Sequence, residues 1–441
     1  MTDLEDRRRR AGASTGPVAP LPGMAGGLFP GRGGISPMRW VDHWVGMPMC
    51  FALGVFVSFV RWLFPRPDRP VRDDGTIVVI KFFGLGSIMQ ATPLLRAIRR
   101  RYPRGRLVFL SFSANAVLLR RLDLGADLHF IRNASPLTFV LDTLREIVWM
   151  RSRPIDACID LEFFSKFSTL LSATGGARKR IGYHLNAYWR SSLLTHPVYL
   201  NYYRHIADIF AQAGTPIDVP VDDLALSRVP VDPASLARVD AFLAERGWGP
   251  PVRDVGVNVN AGELSLERRW PAPRFAEVVE SLVTRHPGVR VLLTGAPDER
   301  AHIEEVYGRL SEAARRSVAI TAGVWSLDDF VAGLTRMSGF VTNDSGPMHL
   351  AAAQGVPLVS LWGPARPDFY APRVANHEVI YENFACSPCL FYMFTTFEGM
   401  WCRHEGWCMQ AIPAAKVLIA AESLLARAAD LDARVTLSDR V

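Results

Sequence analysis

The chain has 441 residues, more than one hydrophobic core usually organises, which excludes a single small module and points to two domains. With 49% apolar and 21% charged residues it can bury a core, which excludes an intrinsically disordered protein. The net charge of +7 is uneven: residues 1–72 hold ten Arg against five acidic residues, leaving +2 for the other 369, which argues against nucleic acid as a partner.

Residues 11–37 are rich in Gly, Pro, Ala and Ser and lack an apolar period, so they are expected to form a flexible arm. From Trp44 to Val60 there are 17 residues without a charge, flanked by Trp40, Trp44 and Trp62 and by Arg39, Arg61, Arg66 and Arg69. A helix from Pro48 to Phe64 would be roughly 24 Å long, shorter than the ~20 residues a spanning helix needs. The leading expectation is a membrane helix that is monotopic or re-entrant, anchored by aromatic and cationic flanks. A helix packed on the protein body is the alternative. A run that starts this far along the chain and ends at Pro-Arg-Pro does not suit a cleaved signal peptide.

After Arg72 strands alternate with helices, the pattern of a doubly wound α/β sheet. In the first series the pattern predicts strands at Thr76–Phe82, Arg106–Ser111, Leu128–Ile131 and Asp156–Leu161, with helices at Ile88–Arg101, Leu137–Met150 and Lys166–Thr174. Thr215–Pro233, with four prolines and several acids, reads as a linker. The second series predicts strands at Asp254–Asn258, Val289–Thr294, Val318–Thr321, Gly339–Thr342 and Leu358–Trp362. Its helices are Pro273–Arg285, Glu299–Leu310, Leu327–Thr335 and Pro347–Gln354. The expected division is an extension at 1–72, a first Rossmann-like domain at 73–215, a linker and crossover helix at 216–253, a second such domain at 254–412 and a C-terminal helix at 413–441. Ligands of such sheets bind beyond the carboxyl ends of the strands, so the strand-to-helix loops of both halves should line one cleft.

The first of these loops, Phe82-Phe83-Gly84-Leu85-Gly86-Ser87, has glycines for a tight turn and a helix start that offers free N–H groups; a ligand-free turn reads the same way. Thr342-Asn343-Asp344-Ser345-Gly346-Pro347-Met348-His349 says more: a strand ends in a polar turn and Pro347 opens a helix, a site of diphosphate size at Ser345 and Gly346. Asp344 would repel phosphates and suits sugar hydroxyls or an N-cap, while His349 is either a ligand contact or a helix-surface residue. Arg268 and Arg269, after Asn258–Gly262, could neutralise a leaving diphosphate or lie solvated. Glu299 could accept hydroxyl hydrogen bonds or cap its own helix.

Taken together, IVVIKFFGLGSIMQATPLLRAIRRRYP, ERRWPAPRFAEVVESL, LLTGAPDE and FVTNDSGPMHLAAAQGVPLVSLWGP, in this order, resemble glycosyltransferase family 9, the heptosyltransferases, over about Thr76 to Leu425. The resemblance implies a GT-B type α/β fold, two Rossmann-like domains facing a central cleft, behind an N-terminal membrane-associated helical extension. It implies an ADP-heptose-like nucleotide-diphosphate sugar held mainly by the second domain, inversion at the anomeric carbon and no cofactor required for catalysis. A glycolipid or polysaccharide acceptor at the cytoplasmic face of the inner membrane would be held by the first domain, near Gly84 and Gly86. By the same resemblance Arg268 or Arg269 meets the donor phosphates, Glu299 the nucleoside and Asp344 the donor sugar, with Ser345, Gly346 and His349 around the diphosphate.

One departure matters: the family's catalytic Asp in the first loop is here Ser87, and a serine hydroxyl is no base at neutral pH. Asp160 and Glu162, at the carboxyl end of a predicted strand, are the candidates to replace it, Glu162 first. Either carboxylate could equally do no more than satisfy backbone donors of its loop. A non-catalytic nucleotide-sugar-binding or scaffold protein of envelope polysaccharide assembly is the alternative function. Six cysteines are too few and too local for a secreted disulfide scaffold. The spacing Cys386-x2-Cys389-x12-Cys402-x5-Cys408 is compatible with a structural zinc, a labile disulfide or free thiols.

Overall fold

The computed structural model describes residues 37–65, 67–184, 189–248, 253–262, 265–390, 402, 404 and 406–438, so residues 11–36 of the expected arm lie outside the described residues. The first sheet is built from β1 (Thr76–Ile80), β2 (Arg106–Phe112), β3 (Asp127–Ile131), β4 (Ile155–Asp160), β5 (Lys179–His184) and β6 (His196–Tyr199). Its order is β3-β2-β1-β4-β5-β6 and every pairing is parallel. The second holds β7 (Arg253–Asn258), β8 (Val289–Thr294), β9 (Val318–Ile320), β10 (Met337–Asn343), β11 (Leu358–Trp362) and β12 (His377–Tyr381) in the order β12-β11-β10-β7-β8-β9, also parallel. Both orders are the same doubly wound arrangement.

Strand β1 explains why such sheets form. Ile77, Val78, Val79 and Ile80 are β-branched and are all buried, because helices cover both faces of a parallel sheet. In each domain the strand order reverses between two neighbouring strands, β1 and β4 in the first and β7 and β10 in the second. Ile80 pairs with Asp160, and Asn258 with Thr342, so the loops after these four strands open side by side.

The polypeptide enters through α1 (Pro37–Trp44) and α2 (Gly46–Leu63). Helix α3 (Leu85–Arg101) follows β1 and starts three residues earlier than its sequence pattern suggested, because Gly84 takes φ +83° and turns the chain at once. Gly86 and Ser87 are therefore in the first helical turn and not in a loop. Helices α4 (Pro136–Arg151) and α5 (Lys166–Thr174) flank β4 in sequence, and α6 (Ile206–Gln212) follows β6. In the second domain α7 (Gly346–Gln354) follows β10, and the short α8 (Pro367–Tyr370) follows β11. Strands β5, β6 and β12 carry polar or Pro-containing sequences and had no apolar pattern to announce them.

The extension packs on the first domain. The Asp42 carboxylate accepts hydrogen bonds from the backbone N–H groups of Lys166 (3.2 Å) and Phe167 (2.8 Å), so it caps the start of α5 from outside. Along α2 the small residues Gly46, Cys50 and Gly54 face inward at intervals of four, with Lys166 and Ser192 against the two glycines. Arg61 closes the far end by donating to the carbonyls of Leu194 (2.8 Å) and Leu193 (3.3 Å).

Candidate active site

On the first domain's side, Glu162 is buried just beyond β4. Its Oε1 accepts from Lys81 Nζ (2.8 Å) and from the backbone N–H groups of Phe82 (2.7 Å) and Phe83 (2.9 Å), tying the β4 loop to the β1 loop. Asp160 is fully enclosed. It accepts from the Glu162 N–H (3.0 Å), Ser168 Oγ (2.9 Å), Thr169 Oγ1 (2.7 Å) and the Arg190 guanidinium (2.7 Å), and burial pushes its carboxyl up against the pull of Arg190. Arg190 lies beneath α2 and is itself fully buried.

On the second domain's side the Arg268 guanidinium is buried and reaches the Asp344 carbonyl (3.0 Å) and carboxylate (3.4 Å) and the Gly262 carbonyl (3.3 Å). Burial raises the Asp344 carboxyl, and Arg268 opposes the shift. Asn258 donates to Ser345 Oγ (2.9 Å), and Asn343 accepts from the Trp270 N–H (3.1 Å), so the two loops of this switch point are also joined. The structure separates the two arginines: Arg268 turns to Asp344, whereas Arg269 acts on His302. Glu299 accepts from the Ala296 N–H (2.8 Å), closing its own turn. Beside it the amide of Asn260 and the hydroxyl of Thr294 are buried without hydrogen-bond partners among the described residues.

The two helix starts meet. Gly346 lies against Leu85, and a Cβ on Gly86 would come within 2.4 Å of the His349 ring. His349 is not a surface residue: it is buried, and its Nδ1 is 3.3 Å from Gln90 Nε2 of the other domain. Ser87 Oγ is 3.4 Å from the hydroxyl of Tyr370, at the end of α8. Burial raises that phenol to about 12, the Ser87 hydrogen bond opposes the shift, and the charges of Asp344 and Glu162 add to it. The phenol is therefore neutral at physiological pH and within electrostatic reach of both loops. Sequence reasoning missed Lys81, Gln90 and Tyr370: the first two lie inside the first quoted run with nothing there to single them out, Tyr370 lies outside every quoted run, and only the fold gives them partners at the site.

Two expected results follow. In Gly86→Ala the new methyl collides with His349, and overpacking of this kind costs about 1–3 kcal/mol, so activity should fall roughly 10- to 100-fold in proportion to the lost domain contact. Full activity in a kinetic assay would contradict the contact. Burial lowers the His349 imidazole from 6.5 to about 3, with the charges of His205 and His377 adding to the effect. Below pH 6.5 the unfolded chain then binds the proton that the folded chain refuses, so stability is complete above pH 6.5 and declines as pH drops toward 3. At pH 5 this group alone should cost about 2 kcal/mol. Denaturant unfolding at pH 7 and pH 5 measures it, and His349→Gln should flatten the difference.

The four cysteines are free, with Cys386 and Cys389 exposed and Cys408 buried. Their mutual electrostatic effect on Cys408 puts them in one neighbourhood, and Cys402 Sγ accepts from the N–H groups of His404 and Gly406, both at 3.3 Å. Among the described residues no group of three or more ligating side chains stands close enough to hold a metal ion.

Two doubly wound domains facing each other through their switch points define a GT-B fold. The family model of glycosyltransferase family 9 (heptosyltransferase) matches residues 150–396, and the chain belongs to that family. Lipopolysaccharide heptosyltransferase 2 of Escherichia coli strain K12 is 36% identical over 118 residues, 27% of this chain and 33% of that protein. Sequence similarity thus spans about a third of the length of such curated relatives. In three dimensions the family 9 glycosyl transferase of Veillonella parvula matches with a TM-score of 0.66 at 21% identity, covering 81% of this chain and 99% of that one. The ADP-heptose LPS heptosyltransferase II of E. coli matches at 0.62 and 23%, covering 80% and 99%.

Proposed function

We propose that the protein is an inverting, metal-independent glycosyltransferase that moves a heptose-like sugar from an ADP-type nucleotide donor to a glycolipid or polysaccharide acceptor of the lipopolysaccharide type. It would work at the cytoplasmic face of the inner membrane. The observation that carries this reading is the buried Arg268–Asp344 pair at the start of α7, where a cation, a carboxylate and free helix N–H groups share one place. Arg268, Ser345 and Gly346 suit a departing diphosphate, Asp344 suits sugar hydroxyls, and Glu299, Asn260 and Thr294 suit the nucleoside. The similarity to the lipopolysaccharide heptosyltransferase 2 of E. coli supports the donor class.

Glu162 is the proposed proton acceptor for the attacking hydroxyl. Its Oε1 is held by three donors, which fixes the orientation of the second oxygen. Asp160 is assigned a positioning role through its bond to the Glu162 N–H. The four cysteines do not converge into a metal-holding group among the described residues, and free thiols are the reading that fits them. Metal analysis of the purified chain tests this, and one zinc per chain overturns it.

A second reading, a nucleotide-sugar-binding protein without turnover, is favoured by Ser87, which meets a phenol where the family has its carboxylate. Purified protein offered ADP-, GDP- and UDP-sugars with a lipid-linked acceptor separates the two. Release of nucleotide supports transfer, and tight binding with no release supports the second reading.

A further inference from the structure

Helix α4 exposes an apolar row while two of its carboxylates are buried. Its Asp142 and Glu146 point into the domain, while Leu137, Val140, Leu141, Leu144 and Val148 are half-exposed or more, Leu137 at 68% and Val148 at 67%. The inward carboxylates are fully engaged. Asp142 accepts from the backbone N–H and guanidinium of Arg132, which hold its carboxyl down to about 2, and Glu146 is 2.6 Å from His129 Nδ1. A helix facing water carries the opposite pattern, since polar residues belong outside and apolar ones inside. The outer face of α4 is therefore matched to an apolar medium.

That face is continuous with the extension. Both α4 and α2 pack against α5, and Phe139 of α4 lies 4.8 Å from Phe167, whose N–H Asp42 caps. Helix α2 turns Val55, Phe56, Phe59 and Trp62 outward, Trp62 at 77% exposure. The 23 residues Val41–Leu63 are long and apolar enough to cross a membrane. However, the inward stripe of Gly46, Cys50 and Gly54 and the Arg61 bonds fasten α2 along the domain at both ends. Cations border the end of α4: Arg151, its last residue, is exposed, and Arg153 lies over the Trp149 ring at 4.4 Å, as suits anionic headgroups.

We infer that α2 and the outer face of α4 together form a two-helix platform that rests on a lipid bilayer, with α2 lying in the interface and not crossing it. The platform deepens the membrane reading proposed above and rests on it. It also reaches the site: Phe139, Phe167, Phe82 and Phe112 form an aromatic chain that ends at Phe83, beside the Glu162 loop. An acceptor whose acyl chains stay in the bilayer is thereby presented to the first domain's loop.

Co-sedimentation of the full chain with vesicles of phosphatidylethanolamine and phosphatidylglycerol tests the inference. Phe56→Ser/Phe59→Ser and Leu141→Ser/Leu144→Ser should each weaken partitioning by roughly tenfold or more, with no change in the thermal midpoint, since all four side chains face outward. Alkaline carbonate should strip the wild-type chain from vesicles. Wild-type binding in the Leu141→Ser/Leu144→Ser variant overturns the platform, as does retention in carbonate, which indicates a spanning helix. A lipid-free dimer that this variant dissolves assigns the face to a second copy and overturns it too. Failure of the wild type itself to bind vesicles is the separate result that removes the membrane reading.

Discussion

Arg268→Ala is expected to lower kcat/KM for the nucleotide sugar by about 10²–10³-fold and to destabilise the fold by about 3–5 kcal/mol. Arg268 is buried, and the atoms it holds are the Asp344 carbonyl and carboxylate and the Gly262 carbonyl. Removing it takes away the cation paired with Asp344 in a place where burial already raises that carboxyl. Asp344 must then take a proton or remain as an unpaired buried charge, and either outcome disturbs the turn that opens α7. Arg268→Lys should recover part of the affinity and little of the stability, because an ammonium cannot reach three acceptors with a fixed fork. Donor titration together with thermal unfolding measures both quantities, and wild-type affinity in the alanine variant would refute the assignment.

Glu162→Gln separates chemistry from architecture on the other side of the cleft. The amide oxygen can still accept from Phe82 and Phe83, so the loop keeps two of its three ties, but Lys81 is left buried without its counter-charge. A stability loss of about 3 kcal/mol is expected from that stranded ammonium. If Glu162 takes the acceptor proton, kcat falls by about 10²–10⁴-fold while donor affinity stays within a few-fold. Turnover at the wild-type rate would sink the role. Adding Lys81→Met to Glu162→Gln should restore much of the stability without restoring turnover, which distinguishes a damaged loop from a missing base.

How much of this was legible in the sequence depends on how far apart the interacting residues lie. Runs such as Thr76–Ile80 announce buried parallel strands by composition alone, and the Asn-Asp-Ser-Gly-Pro turn announces a helix start. The strands Lys179–His184 and His196–Tyr199 are at one end of their sheet and carry Lys, Arg, His and Pro, so no apolar signal marked them. At the site, the residue types were readable and their partners were not. Nothing in the order of residues says that Arg268 and not Arg269 meets Asp344, that Lys81 answers Glu162, or that Tyr370 reaches Ser87 across 283 positions. Those pairings are products of strand order. The exposed apolar row of α4 was visible as a helical pattern, but a pattern does not say which face turns inward.

The cap that Asp42 places on α5 has a practical side. A truncation that discards residues before Thr76 to gain solubility would also remove the acceptor of the Lys166 and Phe167 N–H groups and uncover Arg190, the counter-ion of Asp160. Soluble fragments of this kind would report on a loosened first domain. Their kinetic constants would describe the deletion as much as the enzyme, and the intact chain in detergent or nanodiscs is the proper reference.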